Sequence, residues 1–175
     1  MEAASSGSLP HVTEKDSHIV LRFLAAPMDI TYGGTVHGGK LLEWIDKAGY
    51  ACAAGWSGRY CVTVAVGGIQ FVQPILIGDL VTVRAKLIYT GSSSMHLAVD
   101  VLACDLKDRN ERLATSCVIV FVALDSPDGK PTAVAPWAPQ TPEDRRLADY
   151  AERMMGLSKA MEQQVAEFKG QPAPP

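Results

Sequence analysis

The feature that most constrains this chain is a glycine-rich turn leading directly into a long apolar helix, in the stretch YGGTVHGGKLLEWIDKAGYACAAGW (Tyr32–Trp56). From about His37 onward the residues are helix formers and aromatics. Polar residues form one stripe, spaced three and four positions apart: Lys40, Glu43 and Lys47. Almost every other position is apolar, so we expect the rest of the helix surface to be buried.

The residues after this helix follow a strand pattern. Four segments rich in β-branched and apolar residues lie between glycine, proline and polar breaks: 60–72, 79–90, 93–106 and 112–124. Another apolar segment of strand length, 17–27, precedes the glycine turn. The later links are too short for a parallel crossover, so neighbouring strands must be antiparallel. Such a sheet buries an apolar helix by curling around it, which predicts an α+β fold.

One domain with appendages accounts for the chain, because 175 residues provide one well-filled core and argue against two. The predicted parts are a flexible N-terminus, the main domain, a proline-rich linker, a C-terminal amphipathic helix and a disordered tail: 1–17, 18–125, 126–140, 141–169 and 170–175.

The C-terminal helix has a recognisable start and an apolar face. Thr141 is placed to cap it, and Pro142 occupies the first helical position. Large apolar residues recur every seven positions: Leu147, Met154, Met161 and Phe168. This face needs a partner, either the chain's own sheet or a second subunit, and we favour the second subunit. The other face carries charges of both signs, which argues against a membrane role.

The composition argues against several functional classes. A net charge of -3 provides no global positive field for nucleic acid or a membrane surface. The four cysteines lack CxxC spacing and lie among small or apolar residues, which predicts a reducing compartment with neither disulfides nor zinc. The sequence shows no signal-peptide pattern and no run of about 18 apolar residues, so we expect a cytoplasmic protein.

The turn before the first helix offers a place for a developing negative charge. A helix N-terminus has unpaired backbone N–H groups, and Gly38 and Gly39 would let a reacting group approach them closely. The alternative is that the glycines only permit a tight turn. Asp46 lies on nearly the same side of the helix as Gly39, but about 10 Å further along. Two antiparallel copies could bring both elements to one carbon; otherwise Asp46 is a solvated surface acid.

Three segments resemble the hot-dog acyl-CoA thioesterases in their order and spacing. GGTVHGGKLLEWIDKAGYACAA is similar to that family's His-Gly-Gly turn, which is followed seven residues after its second glycine by a catalytic acid in the central helix. VGGIQFVQPILIGDLV resembles a strand, a turn and the Gly-Asp entry to the next strand. YTGSSSMHLAVDV resembles the turn that contacts coenzyme A. The resemblance covers about residues 18–125 and implies the hot-dog fold.

The resemblance also implies a role for each residue of the first segment. Gly38 would polarise the thioester carbonyl through its backbone N–H, with Gly39 contacting the substrate and His37 orienting it. Asp46 of the facing subunit would act as general base on water, or attack directly to give a mixed anhydride. Many members carry Asn or Asp in the turn before the helix. This chain has Gly33-Gly34-Thr35 there, which leaves Thr35 as a possible substitute.

Further substrate-binding candidates lie outside the first segment. Gly67 and Gly68 interrupt a strand, where either an acyl-pantetheine channel or a β-bulge would require them. Arg59, near the end of the helix, is a candidate for the phosphates of coenzyme A or an ordinary solubilising residue. One turn could bind the nucleotide or pantetheine, or simply close a hairpin; its residues are Gly91, Ser92 and Ser93.

These expectations together describe a hydrolase that converts an acyl-CoA to a carboxylic acid and coenzyme A, with no metal or redox cofactor. A homodimer is the minimal active unit expected, and the family often assembles dimers into tetramers or hexamers. An acyl-CoA hydratase of the same fold is one alternative, but that chemistry needs a histidine after Asp46, and none follows it in the helix. A non-catalytic acyl-CoA-binding regulator is the other, although a pure binder has no use for Asp46.

Overall fold

The computed structural model describes residues 17–108 and 110–170. Its elements, in chain order, are β1 (His18–Leu24), a 3-10 turn (Pro27–Asp29), α1 (Gly38–Ser57), β2 (Tyr60–Phe71), β3 (Leu80–Thr90), β4 (Ser94–Cys104), β5 (Arg112–Leu124) and α2 (Pro142–Lys169). The predicted flexible N-terminus, 1–17, and disordered tail, 170–175, lie outside the described residues except for Ser17 and Gly170.

The five strands form one sheet in the order β1-β3-β4-β5-β2, and all neighbouring pairs are antiparallel. Alternate residues of the central strands point inward and pack against α1 with no exposed surface, for example Leu97 and Val99 on β4. The α+β class, the sheet packed on a long central helix and the extra C-terminal helix are therefore confirmed. All four cysteines are buried, and none of them forms a disulfide with another described residue.

Close packing of α1 on the sheet depends on a glycine in the middle of the helix. A methyl group at Gly49 would lie 2.7 Å from Cε2 of Phe121 and 3.1 Å from a methyl carbon of Ile119. Both of those side chains lie on β5 in the core. The glycine thus lets the helix axis approach the sheet more closely than any larger residue would allow.

The polar stripe of α1 forms as predicted. The Glu43 carboxylate bridges two lysine ammonium groups, that of Lys40 at 2.9 Å and that of Lys47 at 2.5 Å. Hydrogen bonds from Lys47 and Lys40 lower the pKa of Glu43 to about 2. Lys40 also lies 3.4 Å from Asp29 in the 3-10 turn, which ties the start of the helix to the preceding loop.

The expectation that α1 is buried everywhere off this stripe is wrong for a single chain. Leu42 and Tyr50 are each about two fifths exposed, and Asp46, which lies between them on the same side of the helix, is also exposed. The physical reason is that five strands cover only one side of the helix. Two large apolar residues flanking a carboxylate are thus left available to another molecule.

The proximal half of α2 packs on its own sheet, on the face opposite α1. Leu147, Ala151 and Met154 contact a small cluster that includes Ile88 and Val118. Lys86 of β3 forms an ion pair of 2.8 Å with Asp144 in the first turn of the helix. Packing solely on a second subunit, which the sequence favoured, is therefore wrong for this half of the helix.

The proline-rich segment 126–140 is irregular but anchored to the domain. The indole Nε1 of Trp56 donates to the carbonyl of Ala135 at 2.9 Å, and the backbone N–H of Trp137 donates to Oγ1 of Thr90 at the same distance. The segment thus joins the last strand to α2 while covering the C-terminal end of α1.

Candidate active site

The N-terminus of α1 combines a capping histidine with unpaired backbone donors. His37 is the N-cap, and its Nδ1 accepts the backbone N–H of Lys40 at 3.1 Å. A neutral ring that accepts at Nδ1 carries its proton on Nε2, so a second donor is available beside the turn. The N–H groups of Gly38 and Gly39 have no hydrogen-bond partner within residues 17–108 and 110–170. This is the arrangement expected for holding an oxyanion.

A cavity of about 410 Å³ opens at this helix end. Gly38 and Leu41 line it from the helix, and Phe71 and Val72 line it from the end of β2. The Phe71 ring lies close to Gly38, since a methyl group added at Gly38 would be 3.3 Å from the ring. The site thus combines a polar helix end with apolar walls, as a thioester carrying an apolar chain requires.

The loop before the helix is held by a short two-stranded turn. Ile30 and Val36 form an isolated antiparallel bridge, and Thr31 N–H donates to the carbonyl of Thr35 at 2.8 Å. The Thr31 hydroxyl accepts the N–H of Gly33 at 3.2 Å. Thr35 bridges to Leu76, so the predicted substitute residue joins this loop to the β2–β3 connection.

Asp46 is held by a residue that sequence reasoning missed. The Thr63 hydroxyl on β2 donates to the Asp46 carboxylate at 2.5 Å. Thr63 pairs with Phe121 across the β2–β5 ladder, and the ring of Phe121 is buried beneath α1. Thr63 therefore projects toward the helix. No local pattern signals this contact, because it depends on the register of β2, which shifts immediately after Thr63.

Gly38 and Asp46 are separated along one continuous helix. Eight residues of rise place them about 12 Å apart in the same chain. The Gly38 N–H and the Asp46 carboxylate are both accessible, but within one chain they are too far apart to act on the same carbonyl carbon. The sequence-based expectation that a complete site needs two copies is consistent with this geometry.

Four other predicted residues, in two places, lie away from this helix end. Arg59 is exposed just beyond the C-cap of α1, at the opposite end of a 20-residue helix. The turn Gly91–Ser93 closes the β3–β4 hairpin, with Gly91 N–H donating to the Ser94 carbonyl at 2.9 Å. The carbonyls of Ser92 and Ser93 accept N–H groups of Val134 and Ala123. These hydrogen bonds agree with the alternative that the turn simply closes a hairpin, and substrate contact by its residues stays a prediction.

Gly67 and Gly68 lie in a β-bulge beneath α2. The β2–β5 register shifts between Gly67 and Gln70, and Gly68 has a φ of 64°. Methyl groups at Gly67 and Gly68 would lie 3.4 and 3.1 Å from Cε of Met154. The bulge and the close approach of α2 give these glycines a structural reason, and a role in an acyl channel remains a prediction.

Within the described parts of the chain, no group of three or more His, Cys, Asp or Glu side chains is arranged to hold a metal ion. Neither described helix is long and apolar enough to cross a membrane.

Comparison with known proteins decides the family. Residues 33–107 match the model of the thioesterase superfamily. The chain is 34% identical over 137 residues to an uncharacterized acyl-CoA thioester hydrolase, YkhA, of Bacillus subtilis, covering 78% of this chain and 79% of that one. The chain belongs to the thioesterase superfamily. This thioesterase is accordingly a thioester hydrolase, and the resemblance stated from the sequence is confirmed.

Solved structures agree with the thioesterase assignment. An acyl-CoA hydrolase from Staphylococcus aureus, solved with butyryl coenzyme A and coenzyme A, matches with a TM-score of 0.79 at 28% identity, over 89% of this chain and 96% of that one. A hexameric acyl-CoA thioesterase also matches with a TM-score of 0.79 at 29% identity, over 83% and 92% of the two chains. The structural match therefore covers more than nine tenths of each of these two enzymes.

Proposed function

We propose that this thioesterase hydrolyses an acyl-CoA to a free carboxylic acid and coenzyme A. One observation carries the proposal: α1 presents an open N-terminus beside an apolar cavity and, two turns later, an exposed carboxylate held by Thr63. The acyl-CoA substrate is supported by the relatives named acyl-CoA thioester hydrolases and by the butyryl coenzyme A in the S. aureus structure.

In the proposed reaction, the thioester carbonyl oxygen accepts a hydrogen bond from the N–H of Gly38, and charge develops on that oxygen during attack. Asp46 takes a proton from water while the water oxygen bonds to the carbonyl carbon. The C–S bond then breaks, and the coenzyme A thiolate leaves and is protonated. In the second route, Asp46 itself attacks and water hydrolyses the resulting anhydride. Neither route uses a metal or redox cofactor.

The two elements come from different subunits in this proposal. The separation of about 12 Å within one helix requires it, and the exposed Leu42 and Tyr50 beside Asp46 offer an apolar surface for the second copy. The edge strand β2 supports edge-to-edge pairing of two sheets, since its exposed residues include Val64 and Val66. Hexameric neighbours support assembly of three such dimers. A tetramer is the second possibility.

The S. aureus enzyme supports the roles of Asp46 and Thr63. Structures of that enzyme have an aspartate, a threonine and an asparagine each replaced by alanine. The aspartate and threonine are 17 positions apart in that chain, as Asp46 and Thr63 are here. The asparagine precedes the aspartate by 15 positions, and Thr31 precedes Asp46 by 15. These spacings favour Thr31 over Thr35 as the residue that replaces the Asn or Asp that many family members carry in the turn before the helix.

Two further expectations remain proposals. Arg59, Gly67, Gly68 and the turn from Gly91 to Ser93 are retained as contacts for the pantetheine or nucleotide of coenzyme A, reached across the subunit boundary. A cytoplasmic location is also retained, and four buried cysteines that form no disulfide support it.

The decisive experiment measures thiol release from acyl-CoAs of graded chain length, with wild type and Asp46→Ala assayed together. Thiol release by wild type and its loss in the variant would establish the hydrolase. Tight acyl-CoA binding without release, equal in both proteins, would instead identify a regulator. Water addition to an enoyl-CoA without thiol release would identify a hydratase.

A further inference from the structure

A cavity of about 300 Å³ lies between α2 and the face of the sheet opposite α1. Residues of β2 and β5 form its apolar wall on the sheet side: Val64, Val118 and Val120. Met154 and Met155 line it from the helix. Sites for small molecules have mainly apolar walls and a few polar groups, and this volume is at the lower end of their range. The cavity is therefore large enough for a small ligand.

One polar side chain is buried in the wall of this cavity. His96 on β4 pairs with Val120 on β5, and only 7% of its surface is exposed. Its ring packs edge-on against Tyr89, with 5.4 Å between the ring centroids, and forms no hydrogen bond with a described residue. In the described part of the chain, every side-chain nitrogen or oxygen without accessible surface has a hydrogen-bond partner. The nitrogens of His96 therefore keep accessible surface, and the cavity that His96 lines provides it.

The two nitrogens of His96 favour an occupant that can both donate and accept a hydrogen bond. Burial lowers the pKa of His96, so the ring is neutral at pH 7, with one N–H donor and one acceptor nitrogen. A purely apolar occupant would exclude water from both nitrogens without replacing its hydrogen bonds, which costs free energy. A hydroxyl group can pair with either nitrogen, whichever of them carries the proton.

Charges at the opening of the cavity favour a neutral occupant. Lys159 and Glu162 both line the cavity and are exposed, so they mark its opening to solvent. They form no ion pair with each other or with another residue of the described chain. An anionic ligand would be attracted by the ammonium group and repelled by the carboxylate, and a cationic ligand the reverse. A ligand of either charge therefore gains no net advantage over a neutral one.

We propose that this cavity binds a neutral aliphatic alcohol, with its hydroxyl group on His96 and its alkyl chain between the valines of the sheet and Met155. The site is separate from the proposed active site, because the sheet lies between the cavity and α1. The bound alcohol contacts β4 and α2 together, so it links the C-terminal helix to the sheet.

Methyl NMR on the intact protein tests the site, with 1-hexanol as the probe. Titration should shift the methyl resonance of Met155 and leave that of Met161 unchanged. Met161 is the matched control, because it lies on the same helix but is 67% exposed and does not line the cavity. Sodium hexanoate has the same chain length, but its carboxylate is charged and cannot donate a hydrogen bond. It should bind at least about tenfold more weakly.

Two variants of cavity residues test the position of the alcohol. His96→Leu removes both ring nitrogens and should weaken 1-hexanol binding at least about tenfold. Ser158→Phe places an aromatic ring at the cavity and should abolish the Met155 shift. Ala160→Phe is its control, at an exposed position of α2 that does not line the cavity, and should leave the shift unchanged.

Three results would overturn the alcohol site. The first is a Met155 resonance that does not respond to 1-hexanol in the wild type. The second is equal binding of 1-hexanol and hexanoate, which would contradict the preference for a neutral hydroxyl compound. The third is unaltered binding in either His96→Leu or Ser158→Phe, which would place the alcohol elsewhere. Since none of these measurements uses thiol release, each result leaves the proposed hydrolysis intact.

Discussion

The hydroxyl of Thr63 lies 2.5 Å from the carboxylate of Asp46, and this bond joins the middle of α1 to the edge strand β2. Both side chains are exposed in the single chain, so the carboxylate is held in place without being buried. The bond fixes the rotamer of Asp46 while leaving its second oxygen free for water or substrate.

Replacing Thr63 by valine should reduce kcat by roughly tenfold with little change in KM, because it removes a positioning hydrogen bond and no substrate contact. Thr63→Ser keeps the hydroxyl and should recover most of the rate. Steady-state kinetics on the three proteins check this. Equal losses in the valine and serine variants would mean that the methyl group of Thr63, rather than its hydroxyl, matters.

Asp46→Asn should lower turnover by about 10²–10⁴, the range for losing a positioned acid or base, while the protein stays folded. Thiol release and circular dichroism measured on the same samples check both parts. Near-normal activity would contradict the catalytic role, and loss of structure would make Asp46 a structural residue.

Gly38→Pro should remove the backbone donor while preserving the helix. Proline is favoured at the first helical position, and His37 already has the extended backbone that precedes a proline, with φ -78° and ψ 150°. We expect a loss of about 10²–10³ in kcat, as for other oxyanion donors, and a much smaller loss for Gly38→Ala, which keeps the N–H.

The same proline variant allows a complementation control. Mixed with Asp46→Ala subunits and reassembled, it should regain activity, because each heterodimer then contains one site with both groups intact. Failure to regain activity in verified heterodimers would argue for sites built within single subunits.

Gly49→Ala should destabilise the fold by roughly 1–3 kcal/mol, because the added methyl group would overlap the buried Phe121 ring and the core must shift to admit it. Urea denaturation measures the effect. Gly55→Ala is the matched control on the same helix, since open space surrounds that position. It should be neutral or slightly stabilising, and similar losses in both variants would contradict the packing argument.

The docking of α2 should weaken in acid. The hydrogen bond from Lys86, together with the backbone N–H groups of Thr141 and Gln140, holds the pKa of Asp144 well below its ordinary value. A carboxyl group whose pKa is lower in the folded state stabilises the fold at pH values above its unfolded-state pKa of about 4. This stabilisation is lost as the pH falls below that value. The hydrogen-exchange protection factors of α2 amides, which are corrected for the intrinsic pH dependence of exchange, should therefore fall below about pH 4.

Asp144→Asn should remove that acid dependence and reduce amide protection in α2 about tenfold at pH 7, by loss of the ion pair. Asp149→Asn, an exposed position on the same helix, serves as the control and should change neither. An unaltered pH profile in Asp144→Asn would show that another group controls the docking.

Features of this molecule that depend on neighbouring residues were predictable from the sequence, whereas contacts between residues far apart in the chain were not. The start of α1, the apolar strands and the α2 cap were predictable because each depends on neighbouring residues. The spacing of Gly38 and Asp46 was predictable because both lie on one helix. The role of Thr63 was not predictable, because its contact with Asp46 depends on the pairing of Thr63 with Phe121 between β2 and β5, which no local pattern signals. The exposed side of α1 was also missed, since periodicity shows which residues are apolar but not how far five strands extend.

The two glycines beneath Met154 differ in what requires them, and this difference can be read in related sequences. Gly68 has a left-handed backbone, so the bulge itself favours glycine there. Gly67 has no such constraint, and its small size matters because Met154 lies above it. In a relative whose chain ends before α2, position 67 would be free to carry a large side chain while position 68 stayed glycine. An alignment column at position 67 should therefore separate family members with a helix laid across this strand from those without one.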